Sequence, residues 1–179
     1  MKGFNVEVKA RCAEPGRIRK ILREQGAVFQ GVDRQVDTYF RVKTGRMKIR
    51  QGTIENCLVH YERENTKGPK GSKIRLFPLD ARTAAALKPV LAAALGVKAV
   101  VDKRREIYFI DNVKFHIDRV KGLGDFMEFE AMDEGGKIGR SRLTDQGRFY
   151  LKLFGIAVRD LVARSYSDMK PAGRRRPRD

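Results

Sequence analysis

Residues Phe4 to Arg11 alternate without a break between apolar and polar side chains. A strand repeats every two residues, so Asn5, Glu7, Lys9 and Arg11 share one face and Phe4, Val6, Val8 and Ala10 the other. The theme returns in Met47-Lys48-Ile49-Arg50, Tyr61-Glu62-Arg63, Lys103-Arg104-Arg105, His116-Ile117-Asp118 and Glu128-Phe129-Glu130. A solvated outer face accounts for any one such strand. Repetition allows a second arrangement, in which the charged faces converge. Lys and Arg would then meet Glu and Asp around one space, a setting suited to a polyanion held with a metal ion.

The rest of the chain supplies turns and helices between these strands. Glu14-Pro15-Gly16 opens a helix whose first turn tolerates the missing proline N–H, with Ile18, Ile21 and Leu22 as its apolar stripe and Gly26 as its end. Residues 27–40 read as extended, followed by strands at 46–51, 57–64 and 72–78 and a loop by composition at 65–71. Asp80 is placed to cap an alanine-rich helix over 81–95 that contains Pro89 and stops at Gly96. Strands over 97–110 and 113–120 meet at Asp111-Asn112, and a last strand covers 125–132. A helix from 140 to 154 follows, then a short helix at 159–164 leading to Ser165-Tyr166-Ser167-Asp168. The pattern is that of an α+β domain over residues 1–169 with about eight antiparallel strands. Eight strands can close into a barrel with a small interior. Residues 170–179 form a basic tail, expected to be disordered because nothing in it beyond Ala172 could dock.

Among 179 residues the net charge is +17, which points to an anionic partner: nucleic acid, a phosphorylated metabolite or a membrane surface. The tail holds only five basic residues and one acid, so most of the basicity belongs to the folded part. No apolar run has the length of a membrane span, and the chain enters a strand at once, leaving no room for a targeting peptide. Cys12 and Cys57 make neither a disulfide framework nor a metal-ligand spacing, and His60 and His116 are too scattered for zinc. A cytoplasmic protein is expected.

Taken in order, the motifs resemble the CYTH family, the triphosphate tunnel metalloenzymes that include class IV adenylyl cyclases and thiamine triphosphatases. The family opens on Glu-x-Glu-x-Lys, and Asn5-Val6-Glu7-Val8-Lys9 matches its second and third signature positions. Asp37-Thr38-Tyr39-Phe40, Gly45 to Arg50, Tyr61-Glu62-Arg63, Lys103-Arg104-Arg105, His116 to Val120 and Gly122 to Glu130 continue the match. Ser165-Tyr166-Ser167-Asp168 is similar to the closing motif of the cyclase-like subgroup. The resemblance covers roughly residues 4–169. It implies a closed eight-stranded antiparallel barrel, or tunnel, with helices packed outside and the polar strand faces inside. Alternation alone cannot tell inward from outward. Asn5 departs from the signature, removing a carboxylate beside the expected metal.

The resemblance further implies a divalent-metal-dependent enzyme that cleaves ATP, thiamine triphosphate or inorganic triphosphate. Its cationic positions are Lys9, Lys48, Arg50, Arg63, Lys103 and Arg105, which would bind the phosphates; Arg can do so bidentately and Lys as a point charge. Glu7, Asp118, Glu128 and Glu130 would hold Mg²⁺ or Mn²⁺, and Lys9, Arg105 and Asp118 would carry the chemistry. Attack by water makes a triphosphate phosphohydrolase, the reading favoured here because it asks less of the site. Attack by a ribose hydroxyl makes a class IV adenylyl cyclase producing cyclic AMP, towards which the closing motif pulls. A non-enzymatic nucleic-acid binder gives no reason for four carboxylates on the parity of the cations, so nucleic acid is left to Arg174-Arg175-Arg176 of the tail. A homodimer stays open. His116 reads as a structural hydrogen-bonder, and Tyr39, Phe40, Phe109, Phe126 and Phe129 as the layer between barrel and helices. Lys73, Arg75, Arg148 and Lys152 read as solvated charges.

Overall fold

In a computed structural model that describes residues 2–170, with side chains from Phe4 onward, the expected strands form and close on themselves. They are β1 (Lys2–Arg11), β2 (Val28–Phe40), β3 (Arg46–Gln51), β4 (Cys57–Arg63), β5 (Lys70–Pro78), β6 (Val97–Ile110), β7 (Val113–Val120) and β8 (Gly124–Asp133). The barrel order is β1-β5-β4-β3-β2-β6-β7-β8, with β1 pairing antiparallel to both β5 and β8. Most of the basic tail lies outside the described residues. No helix among the described residues is long and apolar enough to cross a membrane.

Helices α1 (Pro15–Glu24), α2 (Ala81–Leu95) and α3 (Arg140–Leu153) cover the outside. The apolar parity of β1, β7 and β8 supplies Val6, Val8, Phe115, Ile117, Met127 and Phe129, buried against Ile18 and Leu22 of α1 and Leu143 and Tyr150 of α3. Burying a side chain such as Leu22 or Phe129 is worth about 1.5–3 kcal/mol. With these faces bound outward, a repeat of two sends Asn5, Glu7 and Lys9 inward. Phe40 and Ile49 pack in the same way against Ala84 and Leu87 of α2. The helix ends follow local chemistry. Pro15 takes the first turn of α1, and Gly26 turns the chain away with a φ of 71°. Asp80 accepts from the N–H of Thr83 at 2.7 Å.

Three sequence expectations are corrected. The stretch 159–164 is not a helix: a 3₁₀ turn at Val158–Asp160 leads into extended chain. Leu161 bridges to Ala10, and the Val162 N–H donates to the Lys9 carbonyl at 2.8 Å, so β1 satisfies backbone groups that a helix would have paired internally. The aromatic layer also divides. Phe40 and Phe129 lie outside under the helices, whereas Tyr39 and Phe126 point inward and pack in a cluster with Tyr166. Tyr166 opens the short helix α4 (Tyr166–Met169), which lies across one end of the barrel. Strand β5 begins at Lys70, two residues before its expected start.

Candidate active site

The barrel encloses a cavity of about 510 Å³. Of the ten residues singled out from sequence, Glu7, Lys9, Lys48, Arg50, Arg63, Lys103, Arg105, Glu128 and Glu130 line it. Asp118 is buried behind Arg105. Strand register explains the convergence: Glu7 sits opposite Glu130, Lys9 opposite Glu128, and Arg105 opposite Asp118.

Charges in this interior are arranged in two halves. One is cationic and centres on Asp37, whose carboxylate accepts from Lys48 Nζ at 2.9 Å, Arg50 Nε at 2.9 Å and Lys103 Nζ at 2.6 Å. Burial alone would raise the pKa of Asp37, but Arg50, Lys103 and Lys48 outweigh it and hold the carboxyl well below its ordinary range. Burial lowers Lys103 to about 7 despite Asp37, with Arg50, Arg105 and Lys48 pushing the same way. Arg50 and Lys114 both donate to Glu55. Arg105 makes a bidentate pair with Asp118 at 2.7 and 2.5 Å and reaches Glu128 at 3.0 Å. The Tyr166 hydroxyl donates to the same Asp118 at 2.8 Å, fixing the carboxylate from behind.

The other half is acidic. Glu7 accepts from Arg63, and Glu128 lies 3.5 Å from Lys9 Nζ. Burial again works against ionisation of Glu128, and Lys9, Arg105 and Arg63 reverse it, so its pKa falls. Glu130 has the opposite balance. Burial, Glu128 and Glu7 all raise its pKa, and its hydrogen-bond donor among the described residues is the Asn5 amide at 3.2 Å. Beside it stands His116, buried, with neither ring nitrogen hydrogen-bonded among the described residues and Nδ1 4.0 Å from Glu130 Oε1. One donor atom each from His116, Glu128 and Glu130 fit within 4.8 Å of one another. An under-compensated carboxylate, a partnered one beside it and an orphaned imidazole form a donor set that fits a divalent cation.

Sequence reasoning missed several residues of this interior. Lys114 shares the parity of His116 and Asp118, and Asp37 is directly paired with Arg50, so both carried a signal. Glu55 comes from a turn, where parity says nothing. Lys70 comes from a stretch read as loop; its ammonium donates to the carbonyls of Thr66 and Val162, and burial lowers its pKa to about 8. Lys73 and Arg75 are exposed, as expected of solvated charges. The mouth away from α4 is lined on one side by Ile54, Leu76, Pro78, Leu79 and Met132.

The CYTH domain family matches residues 3–165. Among solved structures, the PH1012 protein of Pyrococcus horikoshii OT3 is similar at 25% identity and TM-score 0.72, covering 92% of this chain and 98% of its own. A candidate adenylate cyclase of Vibrio parahaemolyticus has 18% identity, TM-score 0.69 and coverage of 93% and 97%. A candidate adenylyl cyclase of Hippeastrum, described as having a dominant triphosphatase activity, has 11% identity, TM-score 0.59 and coverage of 93% of each chain. The last two likenesses establish the shared fold. A comparison with curated proteins finds no match.

Proposed function

Because the chain belongs to the CYTH domain family, we propose that its barrel binds the triphosphate group of a small molecule with a divalent cation and cleaves it by hydrolysis. The observation that carries this reading is the division of one 510 Å³ cavity into a cationic half around Asp37 and an acidic half at Glu7, Glu128 and Glu130. A polyanion alone would be repelled by the second half, and a cation alone by the first. A metal triphosphate complements both.

In this reading Lys48, Arg50 and Lys103 hold the phosphates away from the reacting bond. Arg105 and Lys9, on the border between the halves, face the group being transferred. Glu7, Glu128 and Glu130 would hold the cation, Mg²⁺ or Mn²⁺, which when bound supplies Lewis-acid stabilisation and a more acidic water. Asp118, with its oxygens engaged by Arg105 and Tyr166, serves as a positioning residue that fixes the guanidinium plane. The apolar wall at the mouth would seat an organic group attached to the triphosphate.

Hydrolysis is preferred over cyclisation for a structural reason. The Ser165–Asp168 motif is engaged at the α4 end: Ser165 Oγ donates to Asp168, and Asp168 pairs with Arg46 and Lys98. Those side chains are engaged with one another and with β3 and β6 at the α4 end, away from the apolar mouth proposed for the organic group. A cytoplasmic site of action accords with two free, buried cysteines.

The test is turnover of inorganic triphosphate, thiamine triphosphate and ATP with Mg²⁺ or Mn²⁺, resolving orthophosphate from cyclic AMP. Orthophosphate is expected, and Glu128→Gln or Glu130→Gln should lower the rate by about a hundredfold. Cyclic AMP as the product would overturn hydrolysis. No turnover of any of the three with either metal would overturn the enzyme reading.

A further inference from the structure

His116 has an environment that none of the roles above explains. It sits in the middle of β7, opposite Ile107 on β6 and Glu128 on β8, with its side chain buried. An imidazole so placed normally uses at least one nitrogen in a hydrogen bond, yet both are without a partner among the described residues. Glu130 Oε1 is 4.0 Å from Nδ1, beyond hydrogen-bonding distance. A neutral imidazole carries a lone pair on one ring nitrogen, the donor a cation would take. What the ring does share with its neighbours is a focus: donor atoms of His116, Glu128 and Glu130 converge within 4.8 Å.

We infer that His116 is a ligand of the divalent cation, and that the centre is therefore a mixed nitrogen–oxygen site selecting Mn²⁺ or Co²⁺ over Mg²⁺. The inference rests on the proposed reading of the barrel as a metal-triphosphate site. It goes further by naming the ligand and the ion. Magnesium is a hard ion that takes oxygen and gains little from imidazole, whereas later first-row ions bind nitrogen progressively better. Asn5 acts in the same direction. It places a neutral amide beside Glu130, where a second carboxylate would have enriched the site in the charged oxygen that magnesium prefers. The N–H side of its amide also orients Glu130 towards the ring's neighbourhood.

The experiment uses the full chain, stripped of metal and without any triphosphate. It is loaded with one equivalent of Mn²⁺ and examined by pulsed electron paramagnetic resonance for ¹⁴N coupling from a directly bound imidazole. Calorimetric titrations with Mn²⁺ and with Mg²⁺ run beside it. The wild type should show the nitrogen coupling. His116→Ala should lose it and bind Mn²⁺ at least about tenfold more weakly, while Mg²⁺ binding changes by less than about threefold. Glu130→Gln should weaken both ions, and it reports on the same centre if the His116 variant does not fold. Bound Mn²⁺ without nitrogen coupling in the wild type, or equal losses for both ions in His116→Ala, would overturn the assignment. Nitrogen coupling in a protein that turns over no triphosphate would uphold it while removing the proposed reaction.

Discussion

At Asp37 one carboxylate answers three cations, Lys48, Arg50 and Lys103, in a buried setting. The imbalance is best relieved by lowering the charge on the cation that can lose a proton, and burial brings Lys103 to about 7. An unfolded lysine titrates near 10.4. Between these values the unfolded chain binds more protons than the folded one, so this group's contribution to stability rises with pH through that window and its cost is full below it. A bound polyanion reverses the bias, favours the ammonium and raises its pKa. Triphosphate binding at pH 8 without metal should therefore take up about half to one proton more in the wild type than in Lys103→Met, the ligand's own ionisation cancelling in the difference, read by calorimetry in buffers of different ionisation enthalpy. Equal proton linkage in the two proteins would contradict the role given to Lys103. Most of these side chains were legible in the sequence because a strand's parity assigns a face residue by residue, as for Lys48 with Arg50 and Glu128 with Glu130. Parity has nothing to say of Glu55 in its turn or Lys70 at a strand start hidden by Gly and Pro. It could place His116 on the polar face, but not show that its nitrogens lack partners, since that depends on three-dimensional distances.

The element that departs most from its sequence pattern is the segment between α3 and α4. Its residues suit a short helix, but the backbone of β1 offers partners at Lys9 and Ala10, and the chain runs extended beside it. That path carries Tyr166 to the end of the barrel. There its ring packs edge-on to Phe126, covers Lys9 Nζ at 3.8 Å and sends its hydroxyl to Asp118. Ring and hydroxyl make separable contributions. Tyr166→Phe should cost about 1 kcal/mol in denaturant unfolding, the scale of a single hydrogen bond. Tyr166→Ala should cost about 3–5 kcal/mol, the scale of an aromatic removed from a packed cluster. Near-neutral behaviour of the alanine variant would show that α4 does not close the barrel. Helices α1, α2 and α3 were predictable because each has local signals, a proline, a capping Asp80 or an apolar stripe. The segment at 159–164 was not, because a competitor distant in sequence decided its conformation.

For the whole molecule, the decisive event is closure. Eight alternating strands are equally compatible with a polar face in water and a polar face inside. Three apolar helix surfaces settle the matter by claiming the other face of the sheet. The interior that results is not a source of stability: buried ion pairs roughly offset their own desolvation. Its consequence is a cavity whose cations and carboxylates are fixed before a ligand arrives. The net charge of +17 accords with the anionic ligand proposed for that cavity. The central claim is that this interior binds triphosphate and a divalent cation together, and thermal unfolding tests it directly. The Mn²⁺–triphosphate complex, as one ligand at a hundredfold excess over its dissociation constant, should stabilise the wild type by about 2.7 kcal/mol, and Arg50→Ala or Arg105→Ala should abolish most of that gain. An unfolding transition that does not move with saturating triphosphate and metal, or one that moves as far in the arginine variants as in the wild type, would contradict it.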